Sequence, residues 1–215
     1  MGITRQTFTA FKIVMTTQKL WGCGMGVLLA LGANAAELQV KVQDASGRAL
    51  PNAVVFLESP AAKAAVKPQT GIEVAQVGRQ FSPQVTVVPV GSMVTFPNRD
   101  TVRHHVYSFS PAKTFELKLY TGTPSNPVQF ERAGVVVLGC NIHDNMAAWV
   151  LAVDTPYFGK TADTGAVTLE SVVPGNYKLR AWHASLSPGQ SLLEQSITIS
   201  ATNASTVITL RGATP

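Results

Sequence analysis

The chain has 215 residues, with 17 Lys and Arg against 12 Asp and Glu and a formal net charge of +5. The basic excess is not organised into a Lys/Arg stripe interleaved with aromatics, which excludes nucleic acid as a partner. It is concentrated at the N-terminus, where it has a different meaning.

Residues 1–35 hold Arg5, Lys12 and Lys19 but no acidic residue, followed by an apolar run over 21–31 and the small-residue pattern Ala33-Asn-Ala35. That succession reads as a secretory signal peptide cleaved after Ala35 or Ala36, with export to the periplasm as the consequence. Met1 and Met15 are alternative starts. A membrane anchor is the competing reading, although the apolar run is short for a span. Without the leader about 180 residues are left, long enough for two small cores. The leader takes away three of the 17 basic residues and none of the 12 acidic ones, so the charge falls from +5 to +2.

The rest predicts an all-β fold. Leu38, Val40 and Val42 alternate with polar residues, a turn follows at 44–47, and residues 52–57 return, which is a hairpin-like pattern. Residues 59–70, rich in Ala, Lys and Pro, carry no strong period and read as a linker. A second series of strands is expected at 72–77, 84–90, 92–96, 105–109 and 115–120. After a Gly/Pro/Asn loop at 121–127 it resumes at 128–130, 134–138 and 147–153. The tail adds strands at 167–172, 177–183, 196–200 and 206–210. Short strands punctuated by Pro and Gly at this spacing indicate a β-sandwich.

The chemistry is concentrated in Cys140-x-x-His143-x-x-Met146, directly after the strand expected at 134–138. With Cys23 removed in the leader, Cys140 is the only thiol of an exported chain and has no disulfide partner. A lone Cys acting as a small buried hydrophobe is the plain alternative. An upstream imidazole, His104, lies 36 residues before Cys140 at the start of a strand. Two His, one Cys and one weakly held Met are the donor set of a type 1 copper site, in which soft sulfur and borderline nitrogen suit both Cu(I) and Cu(II). His183 reads instead as a satisfied histidine at the core edge, and Trp149 and Trp182 as packing.

Residues 85–98, His104-His-Val and the Cys-x-x-His-x-x-Met loop together resemble the cupredoxins over roughly 72–154. The short ligand loop is most similar to that of amicyanin, plastocyanin having a longer one. The resemblance implies a Greek-key sandwich holding one copper ion through His104, Cys140, His143 and Met146. Val106 falls on the valine of the family's His-Asn-Val, so His105 stands where an Asn commonly latches the ligand loop, and His105 is the alternative upstream ligand.

The flanks carry a second resemblance. Residues 40–56, 161–165 and 173–179 are similar to strands of a carboxypeptidase regulatory-like, transthyretin-like sandwich. One discontinuous domain, 37–58 with 156–212, interrupted by a copper domain at 72–154, is one expectation; a single enlarged cupredoxin is the other. The function implied is a periplasmic electron carrier rather than an enzyme. Its partners would be a dehydrogenase, a cytochrome or another redox protein, and the amicyanin likeness suggests an amine-oxidising pathway. Copper storage, sensing or delivery is the alternative.

Overall fold

The computed structural model describes residues 1–2, 35–187 and 190–215. The expected signal peptide therefore lies almost wholly outside the described residues. In chain order the elements are β1 (Ala36–Asp44), β2 (Val54–Glu58), α1 (Pro60–Ala64), β3 (Ile72–Glu73), β4 (Ala75–Val77), β5 (Gln80–Ser82), β6 (Val85–Pro89) and β7 (Met93–Thr95). They continue with β8 (His104–Ser110), β9 (Lys113–Tyr120), β10 (Val128–Gln129), β11 (Gly134–Gly139), β12 (Ala147–Val153) and β13 (Phe158–Lys160). The last four are β14 (Ala166–Val172), β15 (Gly175–Trp182), β16 (Leu193–Ile199) and β17 (Ala204–Leu210). The fold class is all-β and built of packed sheets, as expected.

Two cores organise these strands. The first is enclosed by the sheets β14-β1-β17 and β13-β2-β15-β16, drawn from the two ends of the described chain. Strand β1 alternates strictly, with Leu38, Val40 and Val42 buried and Glu37, Gln39 and Lys41 exposed. Its period of two presents one apolar face to the core, and each such side chain contributes about 1.5–3 kcal/mol of burial. The second core lies under the five-stranded sheet β6-β12-β11-β8-β9 and the smaller sheet β10-β7-β3, with Phe96, Phe115 and Phe130 packed ring against ring.

Strand β12 belongs to both. Ala148, Val150 and Ala152 line the second core, whereas Leu151 and Val153 line the first. Trp149, on the same face as Leu151, meets Trp182 of β15 at a centroid separation of 6.3 Å. The outer face of the five-stranded sheet is thus covered at β6, at β12 and at Val135 of β11, and exposed at Val137 of β11 and Phe109 of β8.

Several local expectations need correction. The hairpin over 38–57 is not formed: β1 pairs with β14 and β17, and β2 with β13 and β15. The return begins, since the Leu50 N–H donates to Val42 O at 3.1 Å. Asn52 then takes a left-handed backbone at φ 58° and donates its N–H to Thr161 O at 3.0 Å instead of to β1, as the chain crosses to the other sheet. The supposed linker opens with α1, capped by Ser59, whose hydroxyl accepts the Ala62 N–H at 3.1 Å, and started by Pro60. The strand expected at 72–77 is split into β3 and β4. A further hairpin, β4–β5, turns at Gly78 and Arg79, both left-handed at φ 61° and 59°, the backbone of a type I′ turn. His183 is satisfied as expected, with Nδ1 2.7 Å from Ser185 Oγ and Nε2 2.9 Å from Pro51 O.

Leu151 is 1% exposed and sits on the strand common to both cores. Leu151→Ala is expected to cost about 2–5 kcal/mol. Urea unfolding followed by fluorescence of the Trp149–Trp182 pair should report one transition displaced as a whole, because the loss falls on a strand that both sandwiches need.

Candidate metal centre

The site is built where β8 meets the loop between β11 and β12. Along β8 the side chains alternate: His104, Val106 and Ser108 are buried, while Tyr107 and Phe109 emerge on the outer face with His105. Consecutive histidines therefore point to opposite sides of the sheet. The β8–β9 register slips between His104 and Val106, so that His104 is paired with Tyr120 and Val106 with Leu117. Strands β11 and β12 pair from Gly134↔Ala152 to Gly139↔Ala147, which brings Cys140 and Met146 to the two ends of one tight connection. The Met146 N–H closes that loop on His143 O at 2.9 Å.

The donor atoms of His104, Cys140 and His143 all lie within 4.8 Å of one another. Cys140 Sγ is 3.8 Å from His143 Nδ1, and the two imidazoles stand 4.9 Å apart, tilted by 57°. His104 is 0% exposed, and Met146, 1% exposed, is buried in the same apolar cluster as Cys140. His143 is half-buried. His105 stands apart from this group, with Nε2 2.8 Å from Glu116 Oε1 on the outer face and its ring 5.4 Å from that of Tyr107.

The residues around the histidines were not legible as site residues from spacing. His104 Nε2 lies 2.8 Å from Asp100 Oδ2, and Asp100 accepts the N–H groups of Gly78 and Arg79 at 2.7 and 2.8 Å. The Arg79 N–H first, then the bonds from His104 and Gly78, hold the Asp100 carboxyl below its usual range against the opposing effect of burial. A carboxylate four residues before a histidine was the only signal available. Tyr120 donates to Phe96 O at 2.6 Å and accepts from Gln76; burial pushes its phenol up to about 12, so it stays a neutral donor.

His104 Nδ1 is buried and has no hydrogen-bond partner among the described residues. A buried imidazole nitrogen without a partner is costly, and it is repaid if Nδ1 faces a cation. One thiol and two imidazoles form a soft-to-borderline donor set, which fits copper better than magnesium or calcium. Beside Cys140 a groove of about 630 Å³ opens on the outer face, lined by Tyr107, Phe109, Val137 and Met146 among others.

Residues 134–207, from β11 to β17, match the family model described as polysaccharide lyase family 4, domain II. No curated protein matches the chain. Among solved structures, the chain is similar to a copper-containing nitrite reductase from Thermus scotoductus at 25% identity and a TM-score of 0.37, over 41% of this chain and 23% of that one. It therefore spans less than a quarter of the reductase. A purple cupredoxin from Nitrosopumilus maritimus is 23% identical with a TM-score of 0.34, over 38% of this chain and 99% of that one. A variant of amicyanin in its reduced Cu(I) form is 22% identical with a TM-score of 0.36, over 46% of this chain and 98% of that one.

Gly139 sets the close approach of the outer face to Cys140. A Cβ there would lie 2.8 Å from Tyr107 Cζ, so Gly139→Ala must displace the ring and is expected to cost about 1–3 kcal/mol. Denaturation of the double variant with Tyr107→Leu should recover most of that loss, a positive coupling in a double-mutant cycle.

Proposed function

We propose that this chain is an exported copper protein that carries single electrons between redox partners in the periplasm. The observation that carries the reading is the convergence of one donor atom from each of His104, Cys140 and His143 within 4.8 Å; His104 Nδ1 is in addition buried and unpartnered among the described residues. Copper, when bound, supplies a one-electron Cu(II)/Cu(I) couple. In this reading Cys140 is the thiolate donor, His104 and His143 the imidazole donors, and Met146 the weak fourth. Four protein donors leave no open position for a substrate, which favours a carrier over an enzyme.

The two imidazoles have different tasks. His104 is enclosed and braced by Asp100, so it anchors the site; His143 is the more accessible ring, so electrons enter and leave along its edge. Apolar Ile142, 46% exposed beside it, suits transient contact with a dehydrogenase or a cytochrome. Export is supported by the basic leader with its small-residue cleavage pattern; among the described residues no helix is long and apolar enough to cross a membrane. The sheets formed by strands from the two ends support reading 37–58 with 156–212 as one transthyretin-like module that carries the copper module, 72–154, as an insertion.

Copper titration with visible spectroscopy tests the assignment. The wild type should take up one copper, develop an intense thiolate-to-copper band and cycle reversibly by one electron. Cys140→Ser should lose the band while keeping its fold. His104→Gln should lose at least tenfold in copper affinity, and His105→Gln should keep both band and stoichiometry, since His105 points to the other face. A colourless protein that binds Cu(I) and surrenders it to a chelator would mean copper handling instead, and no stoichiometric uptake would end the copper reading.

A further inference from the structure

We infer that Asp100 is a positioning residue for the metal centre, fixing the His104 ring with its proton on Nε2 and its lone pair on Nδ1, and that the β4–β5 turn holds Asp100 in that task. The inference rests on His104 being a copper ligand, as proposed above.

An ionised carboxylate can only accept, so at 2.8 Å from Asp100 Oδ2 the His104 Nε2 must carry the hydrogen. Nδ1 is then the bare nitrogen, and it is the buried one with no protein partner. A carboxylate behind an imidazole makes the ring a stronger donor and locks its orientation, which favours Cu(II) over Cu(I). It does so only if the carboxylate cannot swing away.

Here it cannot. Oδ1 accepts the Gly78 N–H at 2.7 Å, and Oδ2 accepts the Arg79 N–H at 2.8 Å as well as the His104 proton. Successive left-handed residues at 78 and 79 are what turn two neighbouring N–H groups toward one anion. The Asp100 N–H in turn donates to Asn98 Oδ1 at 2.9 Å, and Asn98 Nδ2 donates to Val102 O and Tyr120 O at 2.9 Å each. Every atom that could let Asp100 drift is engaged. The hairpin turn is thereby connected to the metal ligand through a single side chain.

Asp100→Asn tests this because the amide is the same size but cannot accept at both ends. Whichever way it is turned, its NH₂ faces a backbone N–H or the His104 proton. In the wild-type apoprotein, ¹⁵N NMR should show His104 as the Nε2–H tautomer alone; in Asp100→Asn the Nδ1–H form should appear. In the copper-loaded proteins the ratio of Cu(II) to Cu(I) affinity should fall about tenfold in the variant, a rise of about 59 mV for a one-electron couple. A wild-type His104 carrying its proton on Nδ1, or a variant with unchanged tautomer and unchanged potential, overturns the inference. The wild-type tautomer decides even if the variant fails to fold. A wild type that shows the Nε2–H tautomer but takes up no copper supports the positioning and overturns the copper reading alone.

Discussion

The site depends on the immobility of the two strands that bear its loop. β11 and β12 are paired along their whole length up to Gly139↔Ala147, and β12 is buried on both faces by two different cores. Cys140 and Met146 therefore leave from fixed ends. A strand with one solvated face could shift or twist with its neighbours; one gripped from both sides transmits the stiffness of two sandwiches to seven residues. That is a physical role for the second sandwich that needs no chemistry of its own.

What could be read from the sequence follows from the range of the interactions involved. The spacing of Cys140, His143 and Met146 on one turn is a local property, and it was legible. The choice between His104 and His105 was left open by the sequence, and it is the alternation along β8 that turns the two rings to opposite sides of the sheet. Asp100 was not legible, because its significance lies in bonds to Gly78 and Arg79, which reach it only after the β4–β5 hairpin has folded beside it. That hairpin was itself missed, since Gly-Arg is a weak signature for a type I′ turn and β5 is only three residues long. The false hairpin at 38–57 has the same origin. Alternation identified the first strand and the turn before it the second, but their pairing is decided by β14, β15 and β17, more than a hundred residues away.

His105 has a task of its own, apart from the donor cluster. His105 is turned away from the donor cluster and bonded to Glu116 across the β8–β9 ladder, so it strengthens the outer edge of the sheet rather than the loop. The bracing on the His104 side comes from Asn98, which ties the strand entry to Val102 and Tyr120, and from Asp100, which lies against the ring.

An electron carrier needs a centre whose geometry suits both oxidation states, since any rearrangement slows transfer. The order of rigidity in this protein fits that requirement in the proposed reading. His104 is fixed by a carboxylate that accepts two N–H groups of one turn and whose backbone N–H is held by Asn98; Cys140 is fixed by the end of a paired strand; only His143, on the loop itself, meets the surface. The enclosed side of the centre holds the ion, and the side with freedom is the one a partner would approach. A protein built to release its metal would be expected to distribute that freedom differently, with the buried ligand rather than the exposed one left unbraced.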